Sequence, residues 1–208
     1  METMNIKDFK DKSNIEIIME LMNKNNGYIT SKLITGLGIH RMYLNILQKE
    51  KVIEKVANGV YMDVNKLEDS YYVFSISTPN AVFSHMMALY FYGLSIKAPS
   101  EQYDITVCNN YFNYKIKNHN VFYVSKDIYK IGLTEVETPA GNKVKAYDME
   151  RCICDIIRSK KRMDIELVKY SVKEYLKRKD KDLNKLSIYA DKMGINKEVM
   201  DFVSIMYE

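Results

Sequence analysis

The chain has 208 residues and a net charge of +4, and 47% of its residues are hydrophobic and 28% are charged. This composition predicts a folded protein of one large or two small domains, and it argues against a disordered or low-complexity chain. Three cysteines are too few for a disulfide framework, and no apolar stretch is long enough to cross a membrane or to act as a secretion signal. We therefore expect a soluble cytoplasmic protein without a membrane partner.

The pattern of residues 1–66 predicts a winged helix-turn-helix domain. Ser13 and Thr30 are typical helix caps, residues 36–38 (Gly-Leu-Gly) form a tight turn, and Asn58-Gly59 is a strong hairpin signal because both residues tolerate a positive φ. The predicted elements are helices at about 14–25, around Leu33 and Ile34, and at about 39–49, followed by strands at about 53–56 and 60–62. This order of helices, turn and hairpin is typical of a winged helix-turn-helix.

The third predicted helix has two chemically different faces. Its apolar residues gather on one side, whereas Arg41, Asn45 and Gln48 gather on the other, flanked by Met42 and Lys49. Arginine suits the two acceptors of guanine, and asparagine and glutamine suit the acceptor and donor of adenine, so this face is the predicted reader of double-stranded DNA. The same residues could instead form a solvated face or a protein-docking surface. The other residues predicted to contact DNA, chiefly its phosphates, are Thr30, Ser31, Lys32, Lys55 and, in the wing, Asn58.

The pattern of residues 67–208 predicts a mixed α/β domain with a helical C-terminal tail, so the whole chain belongs to the α+β class. A short strand is expected at 72–76 in the connector, and a mostly apolar helix at 81–92 is expected to begin with Asn80 as its cap. The remaining predicted elements are strands at 103–108, 121–125 and 143–147 and helices at 149–158, 164–178, 182–192 and 196–206.

A second basic region lies near the C-terminus. Residues 158–181 contain ten Lys and Arg against four Asp and Glu. On the helix at 164–178, an apolar stripe that includes Ile165 and Val168 is expected to face the domain, with lysines on another face. This region is either a solvated surface or a second functional surface that meets DNA or an acidic partner. Its basic residues are Arg158, Lys160, Lys161, Arg162, Lys169, Lys173 and Lys177.

No catalytic, metal or cofactor site is predicted. Cys152 and Cys154 are two residues apart in a helix and point in different directions, and the three histidines lack ligand spacing. Asp104 with Glu135 and Glu137 lacks the lysine expected two residues after the second acid of a nuclease site. His85, in an apolar helix, is expected to be structural. Helix capping and ion pairing account for the charged cluster Asp148, Glu150, Arg151 and Asp155.

Three segments, in order, resemble the antitoxins of the AbiEi family. They are residues 52–62 (VIEKVANGVYM), 78–94 (TPNAVFSHMMALYFYGL) and 147–157 (YDMERCICDII). Asn58 departs from the pattern, because a basic residue is expected at this position of the wing. The resemblance implies an antitoxin of a type IV toxin–antitoxin system linked to abortive phage infection.

Such an antitoxin would repress its own promoter by binding inverted repeats through residues 1–66. Its C-terminal domain would oppose a nucleotidyltransferase-like toxin encoded next to it. The alternative is a stand-alone winged-helix transcription factor whose C-terminal domain senses a ligand or dimerises.

Overall fold

The computed structural model of the protein describes residues 12–96 and 101–207 and has an α+β fold. The chain divides into two units, Met1–Ser77 and Thr78–Glu208. The sequence predicted a domain boundary at residue 66. The boundary lies instead between Ser77 and Thr78, because one further helix packs onto the N-terminal sheet.

The N-terminal unit combines four helices with a small antiparallel sheet in the order β1-β3-β2. Helix α1 begins where predicted, because the Ser13 hydroxyl accepts from the Glu16 amide at 3.3 Å and the Glu16 carboxylate accepts from the Ser13 amide at 2.7 Å. The described elements are α1 (Asn14–Lys24), β1 (Tyr28–Thr30), α2 (Ser31–Gly36), α3 (Met42–Lys49), β2 (Ile53–Ala57), β3 (Val60–Asp63) and α4 (Ser70–Ser77).

The core of this unit joins the three N-terminal helices. Ile18 and Leu21 of α1 are fully buried and share one cluster with Ile34 of α2 and with Leu44 and Leu47 of α3. The i, i+3 spacing along α1 and α3 places these apolar residues on one face of each of the two helices. Burial of that face fixes which side of each helix remains in solvent.

The predicted strand at 72–76 is wrong, because these residues belong to α4. The carboxylate of Asp69 accepts from the amides of Tyr71 and Tyr72 at 3.1 Å each, which starts the helix. Val73 then packs in a cluster with Tyr28 and the β3 residues Val60 and Met62. The Asp69 amide also donates to the Tyr28 hydroxyl at 2.8 Å, so α4 belongs to the N-terminal unit.

The C-terminal unit contains a five-stranded mixed sheet in the order β6-β5-β4-β8-β7. Strands β5 and β6 are parallel, as are β4 and β8, whereas β4 with β5 and β7 with β8 are antiparallel. The described elements are β4 (Val82–Phe83), α5 (His85–Phe91), β5 (Asp104–Cys108), β6 (Asn120–Val124), α6 (Lys126–Lys130), β7 (Leu133–Glu137), β8 (Lys143–Tyr147), α7 (Met149–Arg158), α8 (Ile165–Lys177), α9 (Leu183–Lys192) and α10 (Asn196–Tyr207).

The apolar segment at 81–92 is not one helix. Val82 and Phe83 form the central strand β4, and α5 starts only after Ser84, so Asn80 does not cap it. Val82 and Phe83 point to opposite faces of the sheet and are both buried, so the strand has a continuous apolar sequence, which pattern alone does not distinguish from a buried helix.

Helix α7 lies at the centre of the C-terminal unit, and every residue from Glu150 to Ile157 is buried. Asp148 caps it as predicted by accepting from the Arg151 amide at 3.0 Å. The helices α5, α8, α9 and α10 all contact it. None of the helices in the described parts of the chain is long and apolar enough to span a membrane.

Candidate nucleic-acid interface

Helix α3 presents the polar face that the sequence predicts. Leu44 and Leu47 are buried on one side, and the other side is exposed to solvent. The exposed residues are Arg41, Met42, Asn45, Gln48 and Lys49.

Helix α3 starts at Met42, so the prediction that it starts near residue 39 is wrong. Gly38 has a φ of +79°, and the buried Ile39 donates its amide to Ile34 at 2.9 Å, which holds the turn before the helix. The His40 ring nitrogen Nδ1 accepts from the Met42 amide at 3.1 Å and satisfies one of the free amides at the helix start. Arg41 therefore lies at the N-terminal cap of α3 rather than within its first turn.

The hairpin packs against the start of α2. Ser31 donates its amide to the Gly59 carbonyl at 2.9 Å, and Thr30 pairs with Val60 across β1 and β3. A Cβ at Gly59 would lie 2.8 Å from the Ser31 hydroxyl, and Gly59 has a φ of +75°. Glycine is thus required at this turn for both space and backbone conformation.

Only Gly59 of the Asn58-Gly59 pair has a positive φ, so the turn is not one that needs it at both positions. Strand β2 instead contains an irregularity between Lys55 and Ala57.

The residues predicted to contact phosphates differ in how available they are. The Thr30 hydroxyl accepts from the Leu33 amide at 3.1 Å as the cap of α2, and Ser31 is half-buried beside the turn. Lys32, Lys55 and Asn58 are exposed. The three exposed side chains are therefore better placed than the two hydroxyls to reach a phosphate.

The second basic surface carries less free charge than its sequence suggests. Lys169 pairs with Glu166 at 2.8 Å and Lys177 with Glu174 at 2.6 Å, both on α8. Ile165, predicted to face the domain, is 40% exposed, because the buried stripe of α8 starts at Val168.

One further ion pair and one cation–π contact involve the segment before α8. Lys160 pairs with Glu198 of α10, and the Arg162 guanidinium lies 4.8 Å from the ring centre of Phe122. Arg158, Lys161 and Lys173 are exposed. Local pairing therefore neutralises three of the seven basic residues, which favours a solvated surface.

His85 lies in a buried chain of hydrogen bonds. Thr106 donates to the Ser84 hydroxyl at 2.9 Å, Ser84 lies 2.9 Å from the ring nitrogen Nδ1, and Nε2 lies 3.2 Å from the Ser159 hydroxyl. With Thr106 as donor, the Ser84 hydroxyl donates to Nδ1 and the Nε2 hydrogen donates to Ser159, so the ring needs one proton. The imidazole ring also stacks on the ring of Phe122, with ring centres 3.5 Å apart.

The His85 imidazole is held neutral. Burial lowers its pKa well below 6.5, and the charges of Arg151, Arg162 and Arg158 add to the effect. The residue also has a φ of +49°, which is uncommon for residues other than glycine, although histidine is among the types enriched there. These contacts fit the structural role that the sequence predicts.

The charged residues at the start of α7 serve as internal supports. The buried Arg151 pairs with Asp155 at 3.0 Å, donates to the carbonyls of Ile128 and Ile131 at 2.5 and 2.9 Å, and lies over the Tyr147 ring at 4.2 Å. Burial raises the pKa of Asp155 to about 6, and the charge of Arg151 opposes this rise.

Glu150 and Asp148 extend this network to α8 and α9. Glu150 accepts from the Tyr175 hydroxyl at 3.1 Å and from the Asp182 amide at 3.2 Å, and Lys185 lies between both carboxylates at 3.0 and 3.2 Å. The cluster thus joins three helices, as capping and ion pairing predict.

No acidic or thiol site assembles from the remaining candidates. Asp104 on β5 accepts from the Met86 amide and the Asn120 side chain, and β4 and β8 separate it from Glu135 and Glu137 on β7. Among the residues that the structure describes, no group of three His, Cys, Asp or Glu side chains is placed to hold a metal ion. Burial raises the pKa of both Cys152 and Cys154 far above the usual range of a reactive thiol.

Comparison with known proteins leaves the family open. No family model matches the chain, and no curated protein matches it. Among solved structures, the chain is similar to the crystal structure of the RV2827C protein from Mycobacterium tuberculosis, with 10% sequence identity, 90% of this chain and 79% of that chain covered, and a TM-score of 0.48. A similarity this weak carries no argument about function.

Proposed function

We propose that the N-terminal unit is a winged helix-turn-helix domain that binds double-stranded DNA. The observation that carries the proposal is the polar surface of α3 and its N-terminal cap, where Arg41, Asn45 and Gln48 are exposed while Leu44 and Leu47 are buried. A helix with this face can enter the major groove, where these three side-chain types match the edges of guanine and adenine.

The hairpin supports the proposal because it would place further contacts beside the groove. Lys55 and Asn58 are exposed in and next to the β2–β3 turn, and the turn is held against α2 through Ser31. A lysine at this position contributes charge attraction to phosphates but no sequence preference.

The test is binding of the full chain to the DNA upstream of its own gene, measured by fluorescence anisotropy and footprinting. Arg41→Ala should lower affinity by about 1–3 kcal/mol and relax the preference at one base pair. Lys55→Ala should weaken all sequences equally and reduce the salt slope by about 0.9. Lys24→Ala, which removes one charge at the end of α1, is the matched control and should change neither quantity.

If Arg41→Ala and Lys55→Ala both retain the footprint and affinity of the wild type, α3 does not read DNA. If Lys24→Ala weakens binding as much as Lys55→Ala, the attraction comes from net charge and not from the hairpin.

We further propose that the chain is an AbiEi-type antitoxin that represses its own operon and opposes a nucleotidyltransferase-like toxin through its C-terminal unit. The proposal rests on the resemblance of the three segments 52–62, 78–94 and 147–157. The first of them builds the hairpin, the second β4 and α5, and the third the start of α7.

Co-expression with the neighbouring reading frame tests this proposal. The neighbouring protein should arrest growth when expressed alone, and co-expression of the full chain should restore growth. The Arg41→Ala variant, expressed from an unrelated promoter, should still restore growth, because rescue is assigned to the other unit. A harmless neighbour, or toxicity that the full chain does not relieve, would instead favour a stand-alone transcription factor.

A further inference from the structure

The connection between β5 and β6 displays aromatic rings in a basic, acid-free stretch. Residues 105–126 contain three lysines, Lys115, Lys117 and Lys126, and no Asp or Glu. Phe112 is 88% exposed and Tyr114 is 67% exposed. Lys115, Lys117 and Lys126 pair with no carboxylate within residues 12–96 and 101–207. Neither the DNA-binding proposal nor the support of the fold uses these side chains.

The connection is anchored at both ends, so the backbone that carries the exposed rings has a defined path. At its start the Asn109 amide donates to Val124 at 2.8 Å and the Tyr111 amide donates to Cys108 at 3.1 Å. At its end the ring of His119 stacks on Tyr103, with centres 4.9 Å apart.

The middle of the connection is held as well. Asn113 accepts from the Lys115 amide at 3.0 Å and donates to the Tyr111 hydroxyl at 3.0 Å, and the buried Ile116 fixes a short 3₁₀ turn to the unit. These contacts fix the backbone that carries Phe112 and Tyr114, so less backbone entropy is lost when a ligand binds.

The sheet places a third ring near the same edge. Because β5 and β6 are parallel, with Cys108 opposite Val124, both strands end at one side of the sheet. Tyr123, one residue before the end of β6, is 54% exposed, and β6 is the edge strand. Phe112 follows Cys108 by only four residues, which limits the distance between Phe112 and the end of β5 to about 14 Å. We call Phe112, Tyr114, Tyr123, Lys115, Lys117 and Lys126 the aromatic–basic surface.

We propose that the aromatic–basic surface binds single-stranded nucleic acid. Exposed rings provide platforms on which unpaired bases stack, and lysines that pair with no carboxylate attract the phosphates between them. Exposed asparagines at 109, 110 and 118 add side-chain amides that can hydrogen-bond to base edges. Single-stranded RNA and DNA share this chemistry.

Two other occupants fit the surface less well. The cores of protein–protein interfaces are depleted in lysine, whereas lysines are interleaved with the rings here. Membrane-surface segments are amphipathic helices with a continuous apolar face, whereas the connection contains only the short 3₁₀ turn Tyr114–Ile116, and Ile116 is buried in the unit.

The test measures binding of the full chain to fluorescein-labelled oligo(U) and oligo(dT) of about twelve nucleotides and to a duplex of mixed sequence. Phe112→Ala and Tyr114→Ala should each weaken binding to single strands by about tenfold or more. Phe112→Tyr and Tyr114→Phe should retain it. The double change of Lys115 and Lys117 to Gln should reduce the salt slope for single strands by about 1.4, from about 0.7 for each phosphate contact.

Ile205→Ala is the matched control, since Ile205 is 64% exposed on α10 of the same unit, and it should bind like the wild type. Duplex binding should not change in Phe112→Ala or Tyr114→Ala, which separates this surface from α3. An equal loss of affinity for oligo(U) and oligo(dT) indicates that the surface binds single-stranded RNA and DNA alike. A larger loss of affinity for oligo(U) indicates RNA as the ligand.

Several results would overturn the proposal. One is unchanged single-strand binding in both alanine variants. Another is loss of self-association in Phe112→Ala by sedimentation, without any effect on oligonucleotides, which would make the surface an interface between copies. A third is that the alanine variants lose binding to phosphatidylserine vesicles but keep binding to oligonucleotides, which would make it a lipid-facing surface. Because both rings are exposed, each variant should fold, and circular dichroism melting checks this directly.

Discussion

Replacing His85 by asparagine isolates the pH dependence that one buried imidazole gives to the stability of the C-terminal unit. Asparagine tolerates the left-handed backbone that His85 adopts, with a φ of +49°, so the variant removes the titrating ring without adding backbone strain. It also removes the stacking on Phe122 and the hydrogen bond to Ser159, which lowers stability at every pH. The informative quantity is therefore the slope of stability against pH.

The sign of this slope follows from the direction of the pKa shift. Burial lowers the pKa of His85 well below 6.5, so the folded protein binds fewer protons than the unfolded chain at pH values below 6.5. The free energy of unfolding therefore falls as the pH falls below about 6.5, and the fall stops near the pKa of the folded state. Between about pH 7.5 and 5.5 this contribution is about 1.4 kcal/mol.

Urea unfolding followed by circular dichroism, at several pH values between these limits, measures the slope. Ser159→Ala is the control, because it removes the partner of Nε2 but leaves the ring. This variant should lower the stability of the C-terminal unit by about 1–3 kcal/mol and should keep the wild-type slope of stability against pH. The unfolding transition that shifts in this variant is the one that belongs to the C-terminal unit.

In the difference between wild type and His85→Asn, the contributions of other titrating groups cancel. The difference should diminish by about 1.4 kcal/mol on going from about pH 7.5 to 5.5. A difference that stays constant over this range would refute the neutral, desolvated imidazole.

Three further predictions concern the hairpin, the buried ion pair and the second basic surface. Gly59→Ala should destabilise the N-terminal unit by about 1 kcal/mol or more in thermal melting, since its Cβ would meet the Ser31 hydroxyl; a melting temperature equal to wild type would contradict the described turn. Asp155→Ala should lower the free energy of unfolding in urea by about 3–5 kcal/mol, because it leaves the Arg151 charge buried without its partner; a loss below about 1 kcal/mol would mean that water reaches the guanidinium. Changing Lys169, Lys173 and Lys177 of α8 together to glutamine should preserve the fold, as expected for a solvated surface. DNA affinity at two salt concentrations and growth rescue in the co-expression assay should both stay unchanged, and a loss in either assay would make the surface functional.

Local sequence patterns were sufficient for α1, α2 and α7 and for the residues that cap them. Ser13, Thr30 and Asp148 cap these helices as predicted. The two faces of α3 also follow from the sequence, because a period of 3.6 residues places Tyr43 and Leu47 on one side of the helix and Asn45 on the other.

Where local patterns were ambiguous, tertiary contacts decided the secondary structure. Residues 72–76 have the aromatic and β-branched composition of a strand, yet Asp69 starts a helix there and Val73 is buried against β3. Val82 and Phe83 form a strand only because β5 and β8 lie on either side of them. Strand β7 was not predicted, since its pattern of alternating exposure depends on pairing with β8.

The candidate sites divide in the same way. The face of α3 is a property of one helix and could be read from the sequence. The free charge of the second basic surface could not, because Lys160 meets Glu198 only when α10 folds back. The aromatic–basic surface was also missed, because a sequence rich in Tyr and Phe does not indicate which rings remain in solvent. Helix periodicity and capping act within a few residues, whereas burial, strand pairing and long-range ion pairs depend on contacts between segments distant in the chain, and only the tertiary structure determines those.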